Sequence, residues 1–448
     1  MSIGALFTPE NIIALMAALT GGLLLFLLIN KDFTLGIYIW LLSILFFRYQ
    51  ELSFSGSMLP DISVERFLFV VLWGAFILEA VFGKHKLFRW TLAEYSMSLF
   101  LLFAVISMIS TGLIVKEGGR LKIGELLTGY IFPFSMFFIS RSVYDSPEKR
   151  EGLIKFLMLV GLYLGITAVF EHFGKTQFIF PKYIMNPAFG IHFGRARGPF
   201  GQAAVNGTVL GFALSASFYF LLSRVKKNIW ISCSFILLAL LPLAIFFTYT
   251  RAVWLAGALS FMLVLSFAFK EKKVVFILLI VILCAAALIT MPLILSGNTA
   301  ANVFDRVYDH SPIDDRLNLY TVYLNMFREH PFLGIGFDRF SEAAPDYYSN
   351  VKSVYFRYEG LSPHDTFTNI LAEMGILGAV LTLGVYLSIL FRSVRLYTHT
   401  PEMRNMAVAF WGCMIVYIVN SIFIEMRYFE FVNSLFFIFA GVICRAQK

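Results

Sequence analysis

Arg251 stands in Thr248-Tyr249-Thr250-Arg251, between two apolar runs that leave almost no loop to hold it in water. An arginine at the centre of a bilayer helix costs roughly 2.5 to 3.5 kcal/mol on insertion scales, and less near an interface, so this position asks for an anionic partner. A substrate anion meets that demand, and so does a headgroup phosphate reached by snorkelling. A second basic site, Gly194-Arg195-Ala196-Arg197-Gly198-Pro199-Phe200-Gly201, precedes the apolar run that begins near Gln202. Amides exposed by glycines at a helix start, together with two guanidiniums, suit a phosphate; a glycine-rich structural turn reads equally well. No Gly-Lys-Ser/Thr follows, so this is not a P-loop. His192 beside it reads as structural.

Two capping signals supply further candidates. Ser311-Pro312-Ile313-Asp314 has an N-cap, a proline at the first helical position and an acid three residues after the cap, which predicts a helix from Pro312 to about Glu329. Arg316, Tyr320 and Tyr323, at spacings of four and three, then share one face. Ser362-Pro363-His364-Asp365 repeats the pattern and predicts His364 in the first turn of a transmembrane helix. The positive end of the helix dipole disfavours imidazolium there, which makes a neutral His364 a candidate general base. An interfacial histidine bonding to headgroups or loop backbone is the alternative. Carboxylate-held metal, zinc-protease and serine-hydrolase chemistry all lack their motifs: no Asp-x-Asp, His-Glu-x-x-His or Gly-x-Ser-x-Gly occurs. Asp314 and Asp315 point about 100° apart on a helix, so Asp314 reads as a cap rather than half of a metal site. Neither metal nor cofactor is expected.

The elements that must position these residues follow from composition. Of 448 residues, 59% are hydrophobic and only 14% charged, against roughly 25% charged in soluble domains. Apolar runs long enough to cross a bilayer recur from Ile12 to Gly441, and stretches such as Val274 to Leu295 are apolar on every face, unlike the alternating strands of a porin. The fold class is therefore all-α, a polytopic helical membrane protein. The net charge of +8 sits in short clusters, among them Lys84/Lys86/Arg89, Arg141/Lys149/Arg150/Lys155, Lys270/Lys272/Lys273, Arg392/Arg395/Arg404 and Arg445/Lys448. Such clusters at every second loop are topology determinants facing the cytoplasm, not a nucleic-acid footprint. Counting back from a cytoplasmic C-terminus gives about 13 spans, and about 12 is equally defensible because Phe33 to Phe47 is short. The chain divides into a transmembrane region with short loops at 1–295, one large outward loop with its helix at 296–364, and C-terminal spans at 365–448. Cys233, Cys284, Cys413 and Cys444 all lie in apolar runs, so neither disulfide nor metal cluster is expected. Met1 to Glu10 lacks a basic n-region and cleavage site, so the first run is expected to be retained.

The residues also resemble a family. The Gly-Arg-Ala-Arg-Gly-Pro-Phe-Gly segment, Thr250-Arg251-Ala252-Val253-Trp254-Leu255, Asp315-Arg316 leading to His330-Pro331-Phe332-Leu333-Gly334-Ile335-Gly336, and Ser362-Pro363-His364-Asp365-Thr366-Phe367 before Leu371-Ala372-Glu373-Met374-Gly375-Ile376-Leu377-Gly378 resemble the O-antigen ligase and polymerase family, which includes bacterial O-oligosaccharyltransferases. The motifs run in the family's order and cover roughly Phe193 to Gly378; the N-terminal part matches in hydropathy only. The resemblance implies about twelve helices with one large late periplasmic loop in the bacterial cytoplasmic membrane. It also implies an inverting glycosyl transfer outside that membrane, without metal or nucleotide sugar. The donor would be a glycan on undecaprenyl pyrophosphate, and the acceptor a hydroxyl of lipid A core, another glycan or a protein. Arg251 and Arg316 would hold the pyrophosphate, Arg197 is a weaker candidate for the donor, and His364 would deprotonate the acceptor. The family often has Asn where Asp365 stands, which leaves that side chain without an implied role. A lipid-linked glycan transporter is the competing class; it would carry inverted repeats and midplane charges instead.

Overall fold

The computed structural model describes residues 20–22, 28–47, 53–54, 62–84, 89–111, 123–223, 229–268, 311–347 and 363–445. These form helices α1 (Phe33–Phe47), α2 (Val64–Val81), α3 (Leu92–Ser110), α4 (Ile123–Val143), α5 (Pro147–His172), α6 (Ala203–Leu222), α7 (Ile229–Phe246), α8 (Arg251–Ala268), α9 (Ser311–Glu329), α10 (Thr366–His399), α11 (Arg404–Ser421) and α12 (Glu430–Arg445), plus a two-residue antiparallel ribbon pairing Ser53–Phe54 with Ile62–Ser63. Seven of the described helices, α3 to α7, α10 and the Pro401–Ser421 segment that contains α11, are long and apolar enough to cross a membrane, and α1 and α8 are shorter apolar helices. The runs expected from Ile12 and at Val274 to Leu295, Cys284, and residues 296–310 and 348–362 of the 296–364 loop lie outside the described residues.

The polar ends of the bundle differ. At one end Arg141 pairs with Glu94 and donates to the Arg89 carbonyl at 3.3 Å, Arg445 reaches the Arg141 carbonyl at 2.8 Å, and Arg392 reaches that of Cys444 at 2.8 Å. These basic clusters, scattered in sequence, therefore meet at one face of the protein. Glu94 also closes a capping box on the Thr91 amide, so one carboxylate both starts α3 and neutralises a buried guanidinium.

α6 is the most enclosed of the spans and packs through small residues. A Cβ at Gly207 would lie 2.3 Å from Val253, and one at Gly211 would lie 2.8 Å from Val416, so α8 and α11 approach α6 as closely as their backbones allow. In α4, Pro133 has no amide to give the Gly129 carbonyl; a π-turn at Leu127–Ile131 absorbs the defect and the Asn433 side chain approaches that carbonyl at 3.5 Å.

α10 is broken. Gly375 has φ 61 and ψ −162, and the carbonyls of Ala372 and Glu373 freed by the break accept from the amides of Ile335 and Gly336 at 3.0 and 2.9 Å. In return the amides of Ile376 and Leu377 bond to the carbonyls of Pro331 and Phe332 at 2.9 and 3.3 Å. A Cβ on Gly375 would fall 2.4 Å from the Phe332 carbonyl carbon, and one on Gly334 (φ 71) would fall 2.2 Å from Glu373 backbone, so both positions require glycine. The two glycine motifs of the sequence are thus the two halves of one stitched backbone crossing. Above it, Leu319, Val322, Tyr323 and Met326 of α9 pack with Ile335, Phe340, Ala344 and Ala372, so α9 has a small core of its own on α10.

Candidate active site

Opposite the basic face lies a cavity of about 500 Å³ lined by Arg195, Gln202, Arg251, Arg316 and His364, with His192, Tyr249, Leu255, Phe423 and Ile424 among its walls. Each charged residue arrives on a separate element. Arg251 is the first residue of α8, reached from α7 by only Phe247 to Thr250, and the turn is tight enough to hold Tyr249 at φ 46. The Tyr249 hydroxyl meets His172 Nδ1 at 3.3 Å, and the Trp254 indole donates to the Ile245 and Phe246 carbonyls at 3.2 Å, which lock this turn to α5 and α7.

Arg316, Tyr320 and Tyr323 all face the His364 segment, as their spacing on α9 requires. The Arg316 guanidinium lies 5.1 Å over the Phe423 ring. The Tyr320 hydroxyl donates to Asp365 Oδ2 at 3.2 Å, and the Tyr323 hydroxyl accepts from the His364 amide at 3.2 Å. Burial, and then the neighbouring Arg251 guanidinium, push the Arg316 pKa down, while Tyr320 and Asp365 oppose the shift. Two like charges facing one cavity, with no carboxylate among the described residues ion-paired to either, form a site that an anion relieves.

The helix start differs from the sequence reading. α10 begins at Thr366 with Asp365 as N-cap, its Oδ1 accepting from the amides of Phe367 and Thr368 at 2.8 and 2.9 Å. His364 therefore sits just before the cap and not in the first turn, and Ser362 lies outside the described residues. A carboxylate two amides deep in the helix start also offsets the dipole that was to keep His364 neutral. Burial raises the Asp365 pKa, and the amide and Tyr320 hydrogen bonds oppose that rise. Asp365 accordingly caps α10 and ties it to α9. The side chains of Ser311 to Asp315, and so the expected Asp314 cap, lie outside the described residues, although the helix itself runs from Ser311 to Glu329.

Arg197 and Arg195 have separate surroundings. The Arg197 guanidinium, 1% exposed, donates to the carbonyls of Ile184 and Asn186 at 2.8 Å and to that of Phe189, and lies 4.8 Å over the Phe193 ring. The Glu171 carboxylate takes the amides of Arg197 and Gly198 at 3.3 and 3.1 Å. Arg197 is thus a strut of the 184–201 loop and does not line the cavity, whereas Arg195, two residues earlier, does. His192, read as structural, lines it as well.

Beneath the cavity, a buried network fixes the walls. Arg427 makes a bidentate pair with Glu373 at 2.7 and 3.1 Å, and Glu373 also accepts from the amides of Asp338 and Phe340 at 3.0 and 3.1 Å. Glu425 accepts from Asn369 at 2.8 Å, and Thr366 joins the Ile424 carbonyl and the Met426 amide at 3.0 and 2.9 Å. The 422–428 segment that carries Phe423 and Ile424 is thereby bolted to the same half-helix that follows His364. Four carboxylates, Glu125, Asp338, Glu373 and Glu425, surround one guanidinium. Burial and, for Asp338, the adjoining Glu125 raise two of them, Asp338 to about 8 and Glu425 to about 7, so the excess negative charge is relieved by protons near neutrality.

Residues 234–383 match the family model described as O-antigen ligase. The match contains Arg251, Arg316, His364 and the stitched glycine crossing. Comparison with curated proteins returns no match.

Proposed function

We propose, for a chain whose residues 234–383 match the family model described as O-antigen ligase, an inverting transfer of a glycan from undecaprenyl pyrophosphate to an acceptor hydroxyl. Lipid-linked glycan transfer of the ligase or polymerase type, by a multi-pass membrane protein, is the general activity of that family. One observation carries the finer reading: a single cavity gathers Arg195, Arg251, Arg316 and His364 from four separate segments. Pyrophosphate leaving from the anomeric carbon develops negative charge, and fixed guanidiniums can take it up where other enzymes use Mg²⁺. The acceptor oxygen attacks that carbon as the bond to the pyrophosphate oxygen breaks; the hydroxyl proton passes to His364, and the electron pair of the broken bond leaves with the pyrophosphate. Arg195, which lines the cavity, takes this role in preference to Arg197, both of whose Nη atoms bond to backbone carbonyls of its own loop.

The proposal includes the topology: about 12 spans, the 1–295, 296–364 and 365–448 division, basic clusters in the cytoplasm, and the cavity on the periplasmic side of the bacterial cytoplasmic membrane. Among acceptors we favour lipid A core, with polymerisation onto a second lipid-linked glycan, or protein O-glycosylation, as alternatives. A transporter fits less well, because the cavity's arginines gather at one end of the bundle and not at a midplane site. Two experiments test the reading. Purified protein with lipid-linked donor and acceptor is expected to transfer glycan in excess EDTA; a strict divalent-metal requirement would defeat the arginine account. Gene deletion separates the acceptors: loss of all polymer on core marks a ligase, and a single repeat left on core marks a polymerase.

Lysine at Arg251 or Arg316 is expected to lower transfer by roughly 10- to 100-fold, the worth of one charged hydrogen bond, because an ammonium cannot reproduce a two-pronged grip on phosphate oxygens. The loss should fall mainly on donor handling. Wild-type donor binding in both variants would remove the anion assignment.

A further inference from the structure

Phe332 and Leu333 are 73% and 60% exposed at the tip of the turn that follows α9, although both are large apolar side chains. Their surroundings explain this. The turn is stitched to the break in α10, and from that level downward α10 presents a continuous exposed apolar stripe: Ile376, Leu377, Val380, Leu383, Leu387 and Phe391. Such a stripe on a spanning helix faces lipid. Val394, 42% exposed, continues the stripe, which from Ile376 then rises about 27 Å at 1.5 Å per residue, less than the roughly 30 Å hydrocarbon thickness, so Phe332 and Leu333 stand at a depth still inside the apolar layer when Arg395 marks the opposite boundary. α3 gives the same depth independently. The Phe337 amide donates to Ser107 Oγ at 2.9 Å, and the exposed apolar stripe of α3, Leu99, Leu102, Val105, Ile106 and Ile109, continues past that level.

We infer that Phe332 and Leu333 insert into the hydrocarbon of the leaflet nearest His364, making residues 331–336 a re-entrant anchor in the membrane and not part of an aqueous loop. Irregular backbone at such depth calls for hydrogen bonds within the protein, and five amides of the crossing have them: Gly334 donates to the His330 carbonyl at 3.0 Å, and the four bonds across the α10 break take up the amides of Ile335, Gly336, Ile376 and Leu377. The anchor begins two residues beyond the end of α9, so the bilayer surface itself would fix the height at which α9 holds Arg316 over the cavity.

The test uses the full chain in lipid nanodiscs with a nitroxide on Phe332→Cys or, separately, Leu333→Cys, the signal of the protein lacking these substitutions being subtracted. Leu383→Cys provides the lipid reference and Glu402→Cys, exposed at the basic end, the water reference. At both turn positions the ratio of collision with oxygen to collision with a water-soluble nickel chelate is expected to match Leu383→Cys and to exceed Glu402→Cys several-fold. A ratio like that of Glu402→Cys would overturn the anchor. Low access to both reagents would also overturn it, pointing instead to a protein covering the turn. Both side chains are exposed, so folding should survive; if one labelled variant is not monodisperse, the other carries the same measurement. Neither arm uses transfer activity, so the result stands apart from the glycan reading.

Discussion

Alanine at His364 is expected to lower turnover by roughly 100- to 10,000-fold while leaving donor binding nearly intact, the size and signature of a lost general base. The geometry sharpens the expectation. His364 precedes the N-cap, its amide is held by Tyr323, and its side chain lines the arginine cavity. The backbone that presents it does not depend on the imidazole, because Asp365 caps α10 and Tyr320 clamps Asp365. His364→Ala should therefore fold and bind donor. Glutamine separates a base from a hydrogen-bonding residue, since it keeps size and polarity but cannot take a proton. Turnover of His364→Gln near that of the unaltered protein, measured with donor binding on purified variants, would sink the assignment and leave an anion site without a catalyst.

Much of this site is legible in the sequence, for identifiable reasons. Arg251 announces itself because no loop can hold it in water, and the structure places it at a four-residue turn facing the cavity. Arg316, Tyr320 and Tyr323 are readable because helical periodicity fixes which residues share a face. Arg195 is not separable from Arg197, because the 194–201 segment is a glycine-bent turn without periodicity. Which guanidinium looks inward there is decided by carbonyls at Ile184, Asn186 and Phe189. α10 is capped three residues beyond the Ser362 signal because Ser-Pro and Asp are both good capping signals, and only the hydrogen bonds of Asp365 choose between them. The break at Gly375 leaves no local trace beyond a glycine. Its partners lie some forty residues earlier in the chain, so the motifs can be recognised but not joined. The Glu373 and Arg427 pair is invisible for the same reason.

Methionine at Arg427 is expected to destabilise the protein by about 3 to 5 kcal/mol at pH 8, the usual consequence of breaking a buried pair from one side. Arg427 is 2% exposed and lies within ion-pairing distance of Glu125, Asp338 and Glu373. Methionine fills similar space, so the loss reports charge more than packing. The pH dependence gives the sharper test. Asp338 and Glu425 already have native pKa values of about 8 and about 7, above their unfolded range, so the native state binds more protons than the unfolded chain from about pH 4 up to those values. Stability must then fall as pH rises through that window. Arg427 lowers both acids, so removing it extends the window upward. The deficit of Arg427→Met relative to the unaltered protein should accordingly be largest near pH 8 and shrink towards pH 5.5, where the orphaned carboxyls can be neutral. Thermal unfolding in detergent at both pH values decides the matter. A deficit independent of pH would mean that the guanidinium acts by filling space and bonding to neighbours, and that the protonation of Asp338 and Glu425 is not tied to its charge.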